Sequence, residues 1–256
     1  MTRQDYKSSP FLLILVLIGV FGPGLSGIIL TYRGRDREKT RGFWRRALEM
    51  RRVRSIWYAI VLLLWPAMHL LSLVFSKALG DQMPGFGFIG MLATQPLGIP
   101  VVIVLYFLQA GLEELGWRGY MLEHVLPSWG AARGSLIIGV FHALWHLPLF
   151  WVVGTNQLRI GLGVGFLLFV AQAIAFSIYS TWCYLGNGHS TLAVTLLHTT
   201  GNLCLDVFAL DPGSTRNSIY TLVMVLGAAA VSIIWLKGGQ DRSPNTPSGL
   251  RSAIGT

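Results

Sequence analysis

The chain has 256 residues, of which 53% are hydrophobic and only 12% charged, about half the roughly 25% of an ordinary soluble domain. With a mean hydropathy of +0.57, this composition excludes a soluble globular enzyme, a disordered chain and a secreted disulfide scaffold. The net charge of +9 does not argue for nucleic acid, because ten Lys/Arg and three acids (Asp36, Glu38, Glu49) between Arg33 and Arg54 account for +7 of it. The expected fold is all-α, a polytopic transmembrane helical bundle.

A bilayer core about 30 Å thick needs roughly 20 helical residues, and seven apolar stretches meet that scale. The first runs from about Phe11 to Tyr32. It is longer than a signal-peptide core and has no convincing small-residue cleavage site, so it reads as a span. The basic segment from Arg33 to Arg54 follows. Placed between two apolar runs, it reads as a cytoplasmic loop lying against anionic lipid headgroups. The second span covers Ile56 to Leu79, with Pro66 and His69 inside and Lys77 placed to snorkel at its end. The third covers Pro96 to Glu114 and continues as a more polar helix towards His124. The fourth runs from Arg133 to Val153, the fifth from Ile160 to Leu185, the sixth from Ser190 to Leu210 and the seventh from Ser218 to Leu236. Turn chemistry marks Gly80–Gly85, Pro127-Ser128-Trp129-Gly130 and Asp211-Pro212-Gly213. Alternation from a cytoplasmic 33–54 loop places the Glu123–Arg133 connection and the tail inside, and the N-terminus outside. Cys183 and Cys204 sit in apolar stretches and read as buried free thiols.

Ionisable groups inside spans are costly, so each is a candidate for function. The first cluster is Glu113-Glu114-Leu115-Gly116-Trp117-Arg118. Adjacent helical residues point about 100° apart, so the two glutamates have different jobs. Glu114 and Arg118 are spaced i, i+4 with the acid first, the favourable ion-pair orientation. Glu113 faces Trp117 at that spacing and is left free to act as a base. The bland alternative is a snorkelling charge cluster at a helix end.

The second cluster is His142-Ala143-Leu144-Trp145-His146-Leu147-Pro148. Two histidines at i, i+4 share a helix face, a spacing that can bind metal, but Ala143 stands where a zinc-protease helix carries its glutamate. Pro148 crowds the carbonyl of Leu144 and loosens the turn beside His146. The third cluster is His198-Thr199-Thr200-Gly201-Asn202, with Asp206 one turn on. His198 and Asn202 offer hydrogen bonds to a developing oxyanion, and Gly201 permits close helix approach. Polar contact between helices is the alternative. Together the three clusters supply one unpaired carboxylate, at least two histidines and an amide, an inventory for water activation and oxyanion stabilisation.

Glu-Glu-x-x-x-Arg, then a histidine closing an aromatic-x-x-x-His element, then His-x-x-x-Asn, in that order over Leu112 to Asp206, resembles the CPBP family of intramembrane proteases, which comprises the CAAX proteases and bacteriocin-processing enzymes (the ABI family). The middle motif departs from the pattern, because its aromatic position is His142. The resemblance implies an endopeptidase in which Glu113 and His146 activate water, His198 and Asn202 stabilise the oxyanion, and Glu114 and Arg118 support the site or meet the substrate. It implies a membrane-anchored or lipidated peptide as substrate, a prenylated Cys-a-a-X tail in the eukaryotic branch. It places the catalytic core at 96–210; hydropathy and composition add N-terminal spans (1–95), a last span (211–236) and a Ser-, Pro- and Gly-rich tail (237–256) expected to be disordered. Composition and the placement of the basic residues give an integral membrane protein, expected in the plasma membrane with its site towards the cytoplasm.

The metal question stays open at this level. Glu113, His146 and His198 could hold zinc with a position left for water, and the same groups can activate water unaided; the balance leans to no tightly bound structural metal. Two other readings compete. One is a scaffold or bacteriocin-immunity factor that has lost the chemistry, against which the complete motif set speaks. The other is a transporter, against which speaks the lack of any internal repeat.

Overall fold

The fold is given by a computed structural model that describes residues 9–82, 85, 87–209, 211 and 214–238. Among these, all regular structure is helical. Helix α1, Pro10–Arg33, starts at Pro10 behind the Ser9 N-cap, whose hydroxyl accepts from the Leu12 amide. A tight turn leads to α2, Arg37–Leu48, capped by Asp36, which accepts from the amides of Glu38 and Lys39. Helix α3 spans Ser55–Ala78 and ends on exposed Lys77, and Gly80 then turns the chain with φ +89°. After the short α4, Gly87–Thr94, comes α5, Gly98–Glu114. It runs without a break into a wide π-helical stretch, Leu115–Leu122, and on into α6, Glu123–His146.

The turn expected over Pro127–Gly130 is narrower than the sequence suggests. Helical geometry continues through Pro127 and fails at Gly130 alone, with φ 72° and ψ −177°, angles open to glycine because it has no Cβ. At the far end the expected loosening before Pro148 takes a definite form: α6 stops at His146 and a 3-10 turn, Leu147–Trp151, takes over. The remaining helices are α7 (Asn156–Ile160), α8 (Val164–Gly186), α9 (Thr191–Val207, capped by Ser190) and α10 (Thr215–Gly238).

Five helical stretches are long and apolar enough to cross a membrane, Gly98–Trp151 being a single 54-residue stretch that holds the third and fourth expected spans. The sixth expected span is α9, whose 17 residues fall short of the roughly 20 that a span requires. Most of the tail expected from 237 onward lies outside the described residues.

Trp57, Val61, Trp65 and Met68 of α3 interlock with Tyr179 and Cys183 of α8, Val194 and Leu197 of α9, and Tyr220 and Met224 of α10. The opposite faces carry exposed Leu62, Leu63, Leu70, Leu71 and Val74 on α3 and Val101, Val104, Leu105 and Leu108 on α5. Apolar residues on both faces of a helix are what lipid contact requires. Polar atoms secure the interior. Trp65 Nε1 donates to the Leu197 carbonyl at 2.7 Å, and Thr200 Oγ1 to that of Val61 at 2.8 Å. Gly201 sits against the Trp65 indole, where a Cβ would lie 3.2 Å from Nε1, so the close approach expected there is present. Both cysteines are free and buried.

Helix α1 is fastened to the segment that carries the glutamates by a seam of small residues. A Cβ on Gly24 would lie 2.3 Å from the Leu112 carbonyl oxygen, and one on Gly116 would lie 2.3 Å from that of Pro23. Below it, α2 buries Phe43 against Gly119, and Arg46 donates to the Gly119 carbonyl at 3.2 Å. Both flanks of the π-helical stretch are therefore held by backbone contact.

Candidate active site

The end of α5, the π-helical stretch, the last turns of α6 and the middle of α9 meet in the interior. Glu113, Glu114, Arg118, His142 and His198 are all buried there, while His146 and Asn202 are half-buried. The three clusters that sequence spacing singled out thus share one location.

Glu114 and Arg118 form the expected pair. Arg118 Nη1 donates to both carboxylate oxygens, at 3.1 and 3.0 Å, and both side chains are fully buried. The guanidinium also lies over the Phe176 ring, 5.3 Å from its centroid, a cation–π contact that shields the charge. The same carboxylate holds α9: His198 Nδ1 is 2.8 Å from Glu114 Oε1. An ionised Glu114 makes Nδ1 the donor, which leaves His198 Nε2 free.

Glu113 points elsewhere, as the 100° offset requires. Its Oε1 accepts weakly from Gln109 Nε2 at 3.4 Å. Its Oε2 lies 3.4 Å from His142 Nε2 and is buried with no hydrogen-bond partner. His146 Nδ1 sits 3.1 Å from the His142 carbonyl, so Nδ1–H donates to the backbone and Nε2 keeps its lone pair. The two histidine rings are 5.0 Å apart, and Trp117 stacks on His142 at 5.3 Å. Other unspent polar atoms gather here: Trp117 Nε1, Arg118 Nε and Nη2, and His142 Nδ1 are buried without partners. Buried polar atoms are nearly always satisfied, so such a concentration marks a place that takes a polar guest.

Among the described residues, the carboxylate and imidazole atoms of Glu113, His142 and His146 lie within 4.8 Å of one another. Two histidines and one glutamate are a donor set that catalytic zinc uses, and the 3.4 Å edge between Glu113 and His142 is close to what tetrahedral bonds of about 2.1 Å produce. The residues therefore fit a metal. The set differs in one member from the expected Glu113, His146 and His198. His142 replaces His198, because Glu114 has drawn the His198 ring to itself.

Several groups were less visible in sequence. Gln109 stands one turn before Glu113, a spacing that could have flagged it. Tyr106 of α5 donates to Asp206 of α9, a long-range contact with no local signal. The other histidines are apart from the site. His69 stacks between Phe208 and Tyr220, His124 Nδ1 meets the Tyr120 carbonyl, and His189 Nδ1 is 2.6 Å from Glu123.

Comparison with known proteins points the same way. Residues 94–204 match the family described as Type II CAAX prenyl endopeptidase Rce1-like. The chain is also 29% identical over 224 residues to the CAAX prenyl protease 2 of Methanococcus maripaludis, covering 86% of this chain and 80% of that protein. With its apolar helices and its buried Glu/His cluster, the chain is a membrane-embedded protease similar over residues 94–204 to the Rce1-like CAAX prenyl endopeptidases.

Proposed function

We propose that this enzyme cleaves peptide bonds near the lipidated end of membrane-anchored substrates of the Cys-a-a-X type, using water activated by Glu113 and His146. One observation carries the reading. Glu113 Oε2 is buried and unpartnered, beside two imidazoles. A carboxylate without a counter-charge in a dry site is a base awaiting a proton, and water held between it and His146 Nε2 is placed to supply one. Attack on the scissile carbonyl develops an oxyanion. His198 Nε2 and the Asn202 amide, one turn apart on α9, are the groups suited to receive it. Donation from Nε2 requires a proton on both ring nitrogens, and the Glu114 carboxylate on Nδ1 is the counter-charge that this form needs.

Where a zinc ion is bound, Glu113, His142 and His146 would hold it, and its chemistry there would be the polarisation of water or of the scissile carbonyl. The residues themselves bury the site, orient the His146 ring through the His142 carbonyl and wall it with Trp117 and Phe176. The substrate class rests on the relative's name. The segment 96–210 is proposed as the catalytic core, in the plasma membrane with its site towards the cytoplasm.

The test uses purified protein with a membrane-anchored peptide bearing a farnesylated Cys-a-a-X end. Wild type should release the tripeptide and Glu113→Gln should not. Retention of cleavage in Glu113→Gln would overturn the mechanism, and equal cleavage of an unlipidated peptide would overturn the substrate class. Loss of activity on chelation would assign the zinc.

A further inference from the structure

The turn between α1 and α2 borders an open surface cavity of about 420 Å³ lined by Tyr32, Arg35, Asp36, Arg37, Thr40, Arg41 and Trp44. Its walls are tied together, since Trp44 Nε1 donates to Tyr32 Oη at 3.1 Å and Thr40 Oγ1 to the Asp36 carbonyl at 2.9 Å. Arg35 holds left-handed geometry at φ 52°, unusual for a residue with a Cβ, and so enters the cavity wall from the turn itself.

The charges of this segment divide into two groups. Lys39, Arg45, Arg46 and Arg52 are engaged by Asp36, Glu49 and Glu123. Arg35, Arg37 and Arg41 form no ion pair among the described residues, and all three line the cavity. Against them stands only Asp36. Its carboxylate already accepts from the Glu38 and Lys39 amides at 3.0 Å, and those hydrogen bonds hold it below the usual carboxylate range. The start of α2 is thereby capped, so the attraction comes from three guanidinium groups rather than from helix amides.

We propose that this cavity binds the phosphate of an anionic phospholipid headgroup. Guanidinium groups bind phosphate through paired, charge-assisted hydrogen bonds. Tyr32 and Trp44 are of the kind that sits at the membrane–water interface. One turn back along α1, Ile29 and Leu30 are 61% and 43% exposed, an apolar track on which acyl chains can lie while the phosphate occupies the cavity. That track is what a free phosphate ion would not need. The proposal is independent of the protease reading.

The experiment is native mass spectrometry of the full chain in detergent, titrated with phosphatidylglycerol, with phosphatidylcholine and with inorganic phosphate. One phosphatidylglycerol per chain should be retained in preference to phosphatidylcholine, and phosphate should not displace it. A single surface charge contributes about fivefold in affinity for an anionic membrane. Arg51→Gln, exposed and outside the cavity, should cost no more than that, whereas Arg35→Gln and Arg41→Gln should each cost at least about tenfold. Thr40→Phe narrows the cavity without altering charge and should also release the lipid, which guards against misfolding of the arginine variants. Equal losses in Arg51→Gln and Arg41→Gln would show diffuse attraction and refute the site. So would retention in Thr40→Phe, or displacement by phosphate.

Discussion

The Glu114 carboxylate is shared between Arg118, four residues along its own helix, and His198, 84 residues away, whose Nδ1 it meets at 2.8 Å. One acid thus neutralises a buried cation and fixes the His198 ring, while its neighbour Glu113 is left without either task.

This division separates stability from activity. Replacing Glu114 by Gln leaves the Arg118 charge buried and unpaired, which costs about 3–5 kcal/mol. Thermal unfolding in detergent should show a large drop in midpoint, with activity lost because the protein no longer holds its fold.

Replacing Glu113 by Gln removes a buried carboxylate that no Lys or Arg contacts directly. Stability should be unchanged or slightly raised, as is common when a strained functional group is removed. Cleavage should fall by about 10²- to 10⁴-fold, the contribution of a general base. Unfolding and turnover measured on the same preparation check both halves; a midpoint falling as far as that of Glu114→Gln would contradict the assignment.

His142 stands where the family motif carries an aromatic residue, and Phe there should be tolerated. His142→Phe deletes one of the three gathered donors while keeping the packing against Trp117. Where the wild type takes up zinc, the amount measured by elemental analysis should fall to background in His142→Phe, and His198→Ala should leave it unchanged. The reverse pattern would restore the donor set expected from sequence.

The glycine seam gives the sharpest contrast in packing. Gly116→Ala would place a Cβ 2.3 Å from the Pro23 carbonyl oxygen, whereas at Gly19 nothing lies within 4 Å. Gly19→Ala should stabilise the helix by about 0.5–1 kcal/mol. Gly116→Ala should destabilise by about 1–3 kcal/mol through overpacking and lower activity, because the backbone it displaces carries Arg118.

What the sequence made legible follows from locality. The Glu114–Arg118 pair, the offset of Glu113 and the break beside Pro148 all depend on residues within one or two turns, and spacing alone reports them. The claim of Glu114 on His198 and the approach of His142 to Glu113 depend on how three helices cross. Periodicity carries no such information, so His198 was expected among the metal donors. The turn expected over Pro127–Gly130 narrows to a single residue within α6 for a different reason: Pro127 advertises a turn, yet the chain breaks only where Gly130 can adopt a positive φ.

The seam between α1 and residues 112–116 also constrains how the protein is made. Synthesis proceeds from the N-terminus, so the first helix must wait in the bilayer, its glycines facing lipid, until the fifth has been inserted. The glutamate segment reaches the membrane with Glu114 already neutralised by Arg118 from within the same helix, and needs no partner from elsewhere to survive the transfer. The proposed site is then complete only when α9 delivers His198, so premature chain termination before that helix leaves an inserted precursor that lacks it.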